Sequence, residues 1–165
     1  MKFTVSWLKE HLETDASLEK TSETLTAIGL EVEQIIDNST SLKDFIIAEI
    51  ISAEQHPNAD KLRVCQVNDG SSIRQIVCGA PNARAGIKVV LAREGVKIPA
   101  NGLVIKKTAI RNVESNGMLC SFEELAIAGD SAGIIELKES YIAGSSAVAA
   151  LGLDDQVIEI AITPN

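Results

Sequence analysis

Ten basic side chains between residues 61 and 111 are the part of this sequence best suited to chemistry, namely the binding of phosphate groups. The only acidic residues in the stretch are Asp69 and Glu94, so it carries a charge of +8 within a chain of net charge −8. Lys and Arg neutralise phosphates, so this excess predicts a basic face that binds nucleic acid. The alternative is an ordinary solvated strand surface, and charge alone does not decide between them. The ten are Lys61, Arg63, Arg74, Arg84, Lys88, Arg93, Lys97, Lys106, Lys107 and Arg111.

The other reactive residues do not form a pattern typical of a catalytic, metal-binding or nucleotide-binding site. His56 has no cysteine or carboxylate cluster near it in the sequence, so we interpret it as a turn residue rather than a base or ligand. Ser115 and Ser121 have no paired base that would make either a nucleophile. Gly79-Ala-Pro-Asn lacks the Lys-Ser/Thr pair of a phosphate-binding loop. We therefore predict no catalytic residue, no metal site and no cofactor in this segment.

The cysteines and the apolar pattern predict a cytoplasmic protein. Their number is odd and no two form a Cys-x-x-Cys pair, which disfavours a disulfide framework and a zinc site, and reduced thiols fit the cytoplasm. No segment has the features of a signal peptide, and no apolar run approaches the ~20 residues of a membrane span, so no membrane partner is expected. The cysteines are Cys65, Cys78 and Cys120.

Short strand-like runs separated by turn residues must position the basic side chains. With Asp69-Gly and Asn101-Gly as tight-turn signals, they predict a small barrel or sandwich within residues 39–148. Alternation along one run predicts that Lys61 and Arg63 point outward. The predicted strands are 45–53, 62–68, 73–78, 88–92, 103–107 and 134–137.

Residues 1–38 form a separate first part with a helical pattern. Ser6 is a candidate N-cap of a first helix, a second helix should start after Ser17, and Gly29 suits a left-handed C-terminal cap. A strand-like run follows at residues 30–36.

Residues 149–165 form the third part, and a short helix predicted at 145–151 leads into it. The apolar run 157–162 is too long to lie on a free surface, and we expect it to pair with residues 30–36. Because the chain stops just after this run, we expect it to be a piece of a longer protein. This expectation predicts solvent exposure at Ile35, Ile36, Ile158 and Ile160.

Three long motifs stand in the middle part: His56-Pro-Asn-Ala-Asp-Lys-Leu-Arg-Val-Cys-Gln-Val, Gln75-Ile-Val-Cys-Gly-Ala-Pro-Asn and Arg111-Asn-Val-Glu-Ser-Asn-Gly-Met-Leu-Cys-Ser. In this order and spacing they resemble the EMAP-II-like tRNA-binding domain, an OB-fold module of several synthetases and free-standing tRNA-binding proteins. The flanks Met1-Lys-Phe-Thr-Val-Ser-Trp-Leu-Lys, Gly29-Leu-Glu-Val-Glu and Glu159-Ile-Ala-Ile-Thr-Pro-Asn resemble the amino-terminal region of the bacterial phenylalanyl-tRNA synthetase beta chain. The resemblance therefore covers the whole sequence.

This resemblance implies a mainly β fold, in which a five-stranded Greek-key OB-fold barrel at 39–148 is inserted into a small, incomplete α+β domain formed by 1–38 and 149–165. It implies a parent enzyme, an alpha–beta heterotetramer that uses ATP and Mg²⁺ to attach phenylalanine to its tRNA. The active site lies on the alpha chain in this family, so tRNA and the alpha subunit are the implied partners, and this segment has no catalysis of its own. Asn112 and Ala126 stand where the family often has Gly.

The predicted RNA contacts combine the basic side chains with two polar residues of the third motif. Only five residues are aromatic, and single-strand binders of the stacking type present rings to bases. We therefore expect recognition of folded RNA by shape, with weak and salt-sensitive binding. The predicted RNA-binding residues are Lys61, Arg63, Arg84, Lys88, Lys106, Lys107, Arg111, Ser115 and Asn116.

Two other functions remain open. The barrel could be a structural or subunit-interaction module of a synthetase with little RNA affinity. The acidic segments on both sides of the basic stretch are compatible with this alternative. A free-standing tRNA-binding protein is the other alternative, and the matching flanks disfavour it.

Overall fold

In the computed structural model, which describes residues 1–162, the chain divides into two compact units. The small unit comprises Met1–Thr40 and residues 151–162, and the barrel unit comprises Ser41–Ala150. No helix in the described range combines the length and the apolar character that crossing a bilayer requires. The elements are, in chain order, β1 (Lys2–Thr4), α1 (Val5–His11), α2 (Leu18–Ala27), β2 (Val32–Ile36), α3 (Asn38–Leu42), β3 (Ile46–Gln55), β4 (Arg63–Asn68), β5 (Ile73–Cys78), β6 (Lys88–Ala92), β7 (Thr108–Ile110), β8 (Val113–Ser115), β9 (Met118–Leu119), β10 (Glu136–Leu137), α4 (Ala147–Ala150) and β11 (Val157–Ile160).

The strands of the barrel unit wind into a nearly closed antiparallel barrel. β3 pairs with both β4 and β6, β4 pairs with β5, and β6 pairs with β9. Hydrogen bonds close the remaining seam, because Asn116 N–H donates to Gln75 O at 2.8 Å and Val77 N–H donates to Ser115 Oγ at 3.0 Å. Counting β8 and β9 as one fifth strand, the order is that of a five-stranded OB-fold barrel. The predicted fold class is confirmed.

The barrel interior is filled by side chains that alternate along each strand. Ile46, Ala48 and Ile50 of β3 and Cys65 and Val67 of β4 face this core, and none is more than 7% exposed. All three cysteines are buried free thiols. Burial raises the pKa of Cys120 to about 12, which keeps its thiol protonated and unreactive.

The predicted strand at residues 103–107 is wrong. This segment makes only one isolated bridge, between Lys97 and Val104, around the turn at Asn101-Gly. The regular pairing forms instead in the next segment, where β7 and β8 make a hairpin. Its two turn residues, Arg111 and Asn112, have positive φ angles of 48° and 70°, as a tight two-residue hairpin turn requires. Asn tolerates this geometry better than most residues, which explains how the turn persists without glycine.

In the small unit, β11 is the central strand of a three-stranded sheet, between β1 and β2. The predicted pairing of the two apolar runs is confirmed, with Ile158 opposite Ile35. Residues 163–165, which end the last flanking motif, lie outside the described residues. The predicted exposure is wrong for Ile158 and Ile160, which are 0% and 3% exposed, whereas Ile35 is 39% exposed and Ile36 is half-buried. The central position of β11 accounts for the difference, because the strand has neighbours on both sides.

The helix ends of the small unit follow the predicted cap chemistry at two of three positions. Ser17 caps α2 by accepting the N–H of Lys20, and Gly29 follows α2 with a φ of 96°. Ser6 is not the N-cap of α1. Thr4 is, because its hydroxyl oxygen accepts the N–H of Trp7, while the Ser6 hydroxyl donates to Asp155.

Candidate nucleic-acid interface

The surface most suited to a nucleic acid lies over β4 and β5. In OB-fold barrels, ligands bind over the second and third strands, between the loop that joins strands one and two and the loop that joins strands four and five. These loops are residues 56–62 and 93–112 here, and the second includes β7. We call β4, β5 and these two loops the binding face.

Two glutamine side chains form a short ladder across the binding face. Gln66 Nε2 donates to Gln75 Oε1 at 3.3 Å, and Gln75 Nε2 donates to the carbonyl oxygen of Glu114 at 2.9 Å. Both residues alternate with core side chains such as Cys65 and Ile76, so their amides lie on the outer surface. The ladder connects β4 and β5 to β8 and stiffens this surface. Sequence reasoning missed it because it depends on strand register.

His56 ties the two loops of the binding face together. It is 2% exposed; its Nδ1 accepts the N–H of Asn58 at 2.9 Å, so Nε2 carries the proton and donates to the carbonyl oxygen of Ile110 at 2.9 Å. Asn58 Nδ2 donates to the carbonyl oxygen of Arg111 at 3.0 Å, and Arg111 Nη1 donates back to the carbonyl oxygen of Asn58 at 3.4 Å. The His-Pro-Asn turn of the first motif therefore holds the hairpin turn of the third, and His56 has the structural role that the sequence indicated.

We expect His56→Ala to destabilise the chain by about 2 kcal/mol, because it removes both hydrogen bonds of the imidazole and leaves the Ile110 carbonyl oxygen and the Asn58 N–H without this partner. Urea unfolding followed by circular dichroism measures this change. His11→Ala removes an exposed imidazole of the small unit and should cost less than about 0.5 kcal/mol. Equal destabilisation by the two variants would contradict the role of His56 as a clamp.

Three of the seven predicted RNA-facing cations are held by carboxylates. The pairs are Arg84–Glu136, Lys88–Glu49 and Lys107–Glu114, with N–O distances of 2.8, 2.9 and 3.1 Å. The Arg84 pair is bidentate, and hydrogen bonds from Arg84 and Asn82 lower the pKa of Glu136 to about 2. The Lys88 side chain is only 14% exposed. A phosphate would have to displace these carboxylates, so the three cations are poorer contacts than their sequence positions indicate.

The other four predicted cations differ in how their side chains are used. Lys61 and Lys106 are exposed and form no ion pair within residues 1–162. Arg111 is the clamp residue described above. Arg63 is exposed, as predicted, although it lies two residues from buried Cys65 on the same face of β4, and it donates to the carbonyl oxygen of Ala83 at 3.0 Å. Lys61 and Lys106 are therefore the most available of the predicted cations.

The two polar residues predicted to contact RNA have different positions. Ser115 is 1% exposed, and its hydroxyl accepts the N–H of Val77, so it closes the barrel and is withdrawn from the predicted contacts. Asn116 is half-buried, and its Nδ2 donates to Glu114 Oε1 at 2.9 Å.

Lys97 was missing from the predicted contacts although it lies in the same loop as Lys106. It is exposed and without a carboxylate partner in the described part of the chain. Its position opposite Val104 follows from the turn at Asn101-Gly, which reverses the chain between them. The Asn-Gly signal could therefore have placed Lys97 beside the segment that carries Lys106.

The described residues contain no cluster of side-chain ligands for a metal ion. No group of three or more His, Cys, Asp or Glu side chains converges within residues 1–162. A depression of about 590 Å³ contains Arg74 and Arg93, but Asp44 and Glu94 also line it. Arg74 already pairs with Asp69, with a distance of 2.5 Å from Nε to Oδ2.

Comparison with known proteins matches this chain to one family model and to several sequence relatives. The family model described as "Putative tRNA binding domain" matches residues 45–146. Over 165 residues, all of this chain, the sequence is 53% identical to the phenylalanine–tRNA ligase beta subunit of Paramagnetospirillum magneticum and 54% identical to that of Rickettsia bellii. The chain spans about a fifth of these relatives, 21% and 19% of their lengths. Among solved structures, the MetRS related protein from Pyrococcus horikoshii matches with a TM-score of 0.44 and 25% identity, over 61% of this chain and 85% of that one.

Proposed function

Since the chain belongs to the family of tRNA-binding domains, we propose that its barrel binds tRNA at the binding face, through lysines on the two loops and the polar surface of β4 and β5. The observation that carries the proposal is that the family match at residues 45–146 includes both loops, and each bears an exposed lysine that forms no ion pair among the described residues. Exposed lysines contact phosphates at little cost, because no carboxylate has to be displaced. The proposed phosphate contacts are Lys61, Lys97, Lys106 and Arg111.

We further propose that the barrel serves a phenylalanine–tRNA ligase as part of its beta subunit. The names of the relatives and the identity over the whole chain support this. In that protein, ATP and Mg²⁺ would be used by residues outside this segment, and an alpha subunit would be a partner. The proposed location is the cytoplasm, where translation enzymes of this kind work.

A structural role within the ligase is the second candidate. The observation that favours it is the pairing of Arg84, Lys88 and Lys107 with glutamates, which lowers the positive charge available to RNA. A module of this kind would bind another part of the ligase and would have little affinity for tRNA.

A titration of labelled tRNA with the 165-residue chain at several salt concentrations tests the proposal. We expect weak binding at about 0.1 M salt and a slope of log K against log salt between about −2 and −4, from two to four phosphate contacts. Double-stranded DNA with a similar number of phosphates is the control, and tRNA should bind about tenfold more tightly if folded RNA shape is recognised. No tRNA binding at about 50 mM salt, or equal binding of the DNA, would favour the structural role.

A further inference from the structure

A largely apolar groove of about 440 Å³ lies on the binding face beside Lys106. Its walls come from β5, from the end of β8 through β9, from β7, and from the loop segment before β7. Its lining includes Val77, Leu103, Val104, Lys106, Ser115 and Met118. Its volume falls in the range of about 300–1,000 Å³ that is typical of sites for small organic groups.

The groove walls carry aliphatic side chains that are open to solvent. Leu103 is 53% exposed and Val104 is 43% exposed. Single exposed aliphatic residues need no explanation, but several that line one concavity mark a binding site. The Ser115 hydroxyl is already used in barrel closure, so the groove can cover a flat apolar surface but offers few free groups to read the polar edge of a ligand.

Positive charge borders the groove. Lys106 lines it, and Lys97 lies opposite Val104 in the bridge that forms one wall. The carboxylate of Glu114, on β8, already accepts hydrogen bonds from Asn116 and Lys107, which lower its pKa. An apolar groove with lysines at its rim is complementary to a ligand that combines a flat, weakly polar ring with an anionic chain.

We propose that this groove holds one unstacked nucleobase of the tRNA, while Lys97 and Lys106 contact the phosphates on either side of that nucleotide. Proteins hold an extruded base between aromatic or apolar side chains, and here Leu103 and Val104 would supply the apolar contact. With few free polar groups in the groove, the base would be accepted with little regard to its identity. The inference rests on the proposed tRNA binding and adds that an unpaired nucleotide is required.

The variant Leu103→Ser/Val104→Ser tests the groove with two RNA probes, a tRNA transcript and a blunt RNA duplex with a similar number of phosphates. We expect wild type to bind tRNA about tenfold more tightly than the duplex, and the variant to lose about tenfold on tRNA with no change on the duplex. The salt slope should stay unchanged, because no phosphate contact is removed. Leu103→Met keeps an apolar wall and should retain tRNA binding.

Ile142→Ser is the matched control, because Ile142 is a 73% exposed aliphatic residue of the barrel unit that does not line the groove. It should leave both affinities unchanged, and the thermal unfolding midpoints of all variants check that each is folded. Unchanged tRNA affinity in the groove variant, an equal loss on the duplex, or a smaller salt slope would each overturn the groove proposal alone. If wild type does not bind tRNA at about 50 mM salt, the proposed function fails and the groove proposal falls with it.

Discussion

The variant Lys61→Ala/Lys106→Ala is expected to bind tRNA about tenfold more weakly than wild type at about 0.1 M salt, with a salt slope smaller in magnitude by up to about 2. Each lysine that contacts a phosphate releases roughly one counterion, so removing both contacts lowers both the affinity and its salt dependence. These two side chains are exposed, lie on the two loops of the binding face and have no carboxylate partner within residues 1–162. Titrations of labelled tRNA at four or more salt concentrations measure both quantities.

The control is Lys43→Ala/Lys138→Ala, which changes the net charge by the same amount. Both lysines are exposed residues of the barrel unit outside the binding face. A long-range effect of net charge would weaken tRNA binding equally in the two double variants, whereas direct contacts predict a loss only for Lys61 and Lys106. Equal losses would remove these two lysines from the interface.

The substitution Asp69→Asn is expected to destabilise the chain by about 3 kcal/mol at neutral pH, because it breaks an ion pair whose carboxylate is buried and hydrogen-bonded. Asp69 is 2% exposed, and its Oδ2 lies 2.5 Å from Arg74 Nε. Its Oδ1 also accepts the backbone N–H groups of Ser71 and Ser72, at 2.9 and 2.8 Å. Burial raises the pKa of Asp69, but these hydrogen bonds outweigh burial and hold the pKa well below its usual value.

The stability that Asp69 contributes should depend on pH in a definite direction. Because its folded pKa is lowered, the contribution is complete above the unfolded value of about 3.9 and is lost as the pH falls toward the folded pKa. The difference between wild type and Asp69→Asn in urea unfolding should therefore be constant from about pH 7 to about pH 5 and shrink below about pH 4.

Asp130→Asn is the control for Asp69. Asp130 is exposed, and within residues 1–162 its side chain accepts the N–H of Ala132, at 3.0 Å. The substitution should change the free energy of unfolding by less than about 0.5 kcal/mol, both at about pH 7 and below about pH 4. A pH-independent difference for Asp69→Asn would contradict the ionised pair with Arg74.

The fold and family were accessible from the sequence because they depend on local signals and long motifs. The strands 73–78 and 88–92 have the bounds that alternation and turn residues predicted. Ser17 and Gly29 limit α2 as their cap chemistry requires. The pairing of β11 with β2 could be anticipated because both are apolar strands that need a partner.

The assignment of individual side chains to the site required the tertiary structure. Arg84 and Lys106 are equivalent in a sequence count of positive charge, but Arg84 is bound by Glu136, 52 residues away, and Lys106 has no such partner among the described residues. Ser115 was predicted to contact RNA because it is polar and lies in a turn-forming motif, and it is buried in the closing seam instead.

Strand periodicity, turn residues and motifs lie within short stretches of chain, so the sequence alone was sufficient to predict a mainly β barrel of the tRNA-binding family with a basic stretch at residues 61–111. The tertiary structure decided which charges remain available, because an ion pair forms only where strand register brings two distant side chains within a few ångströms. It also decided where the apolar groove lies, since its walls come from segments between Val77 and Met118 that meet only when the barrel closes. Register and closure are set by cooperative long-range packing, which a local pattern of residue types does not encode.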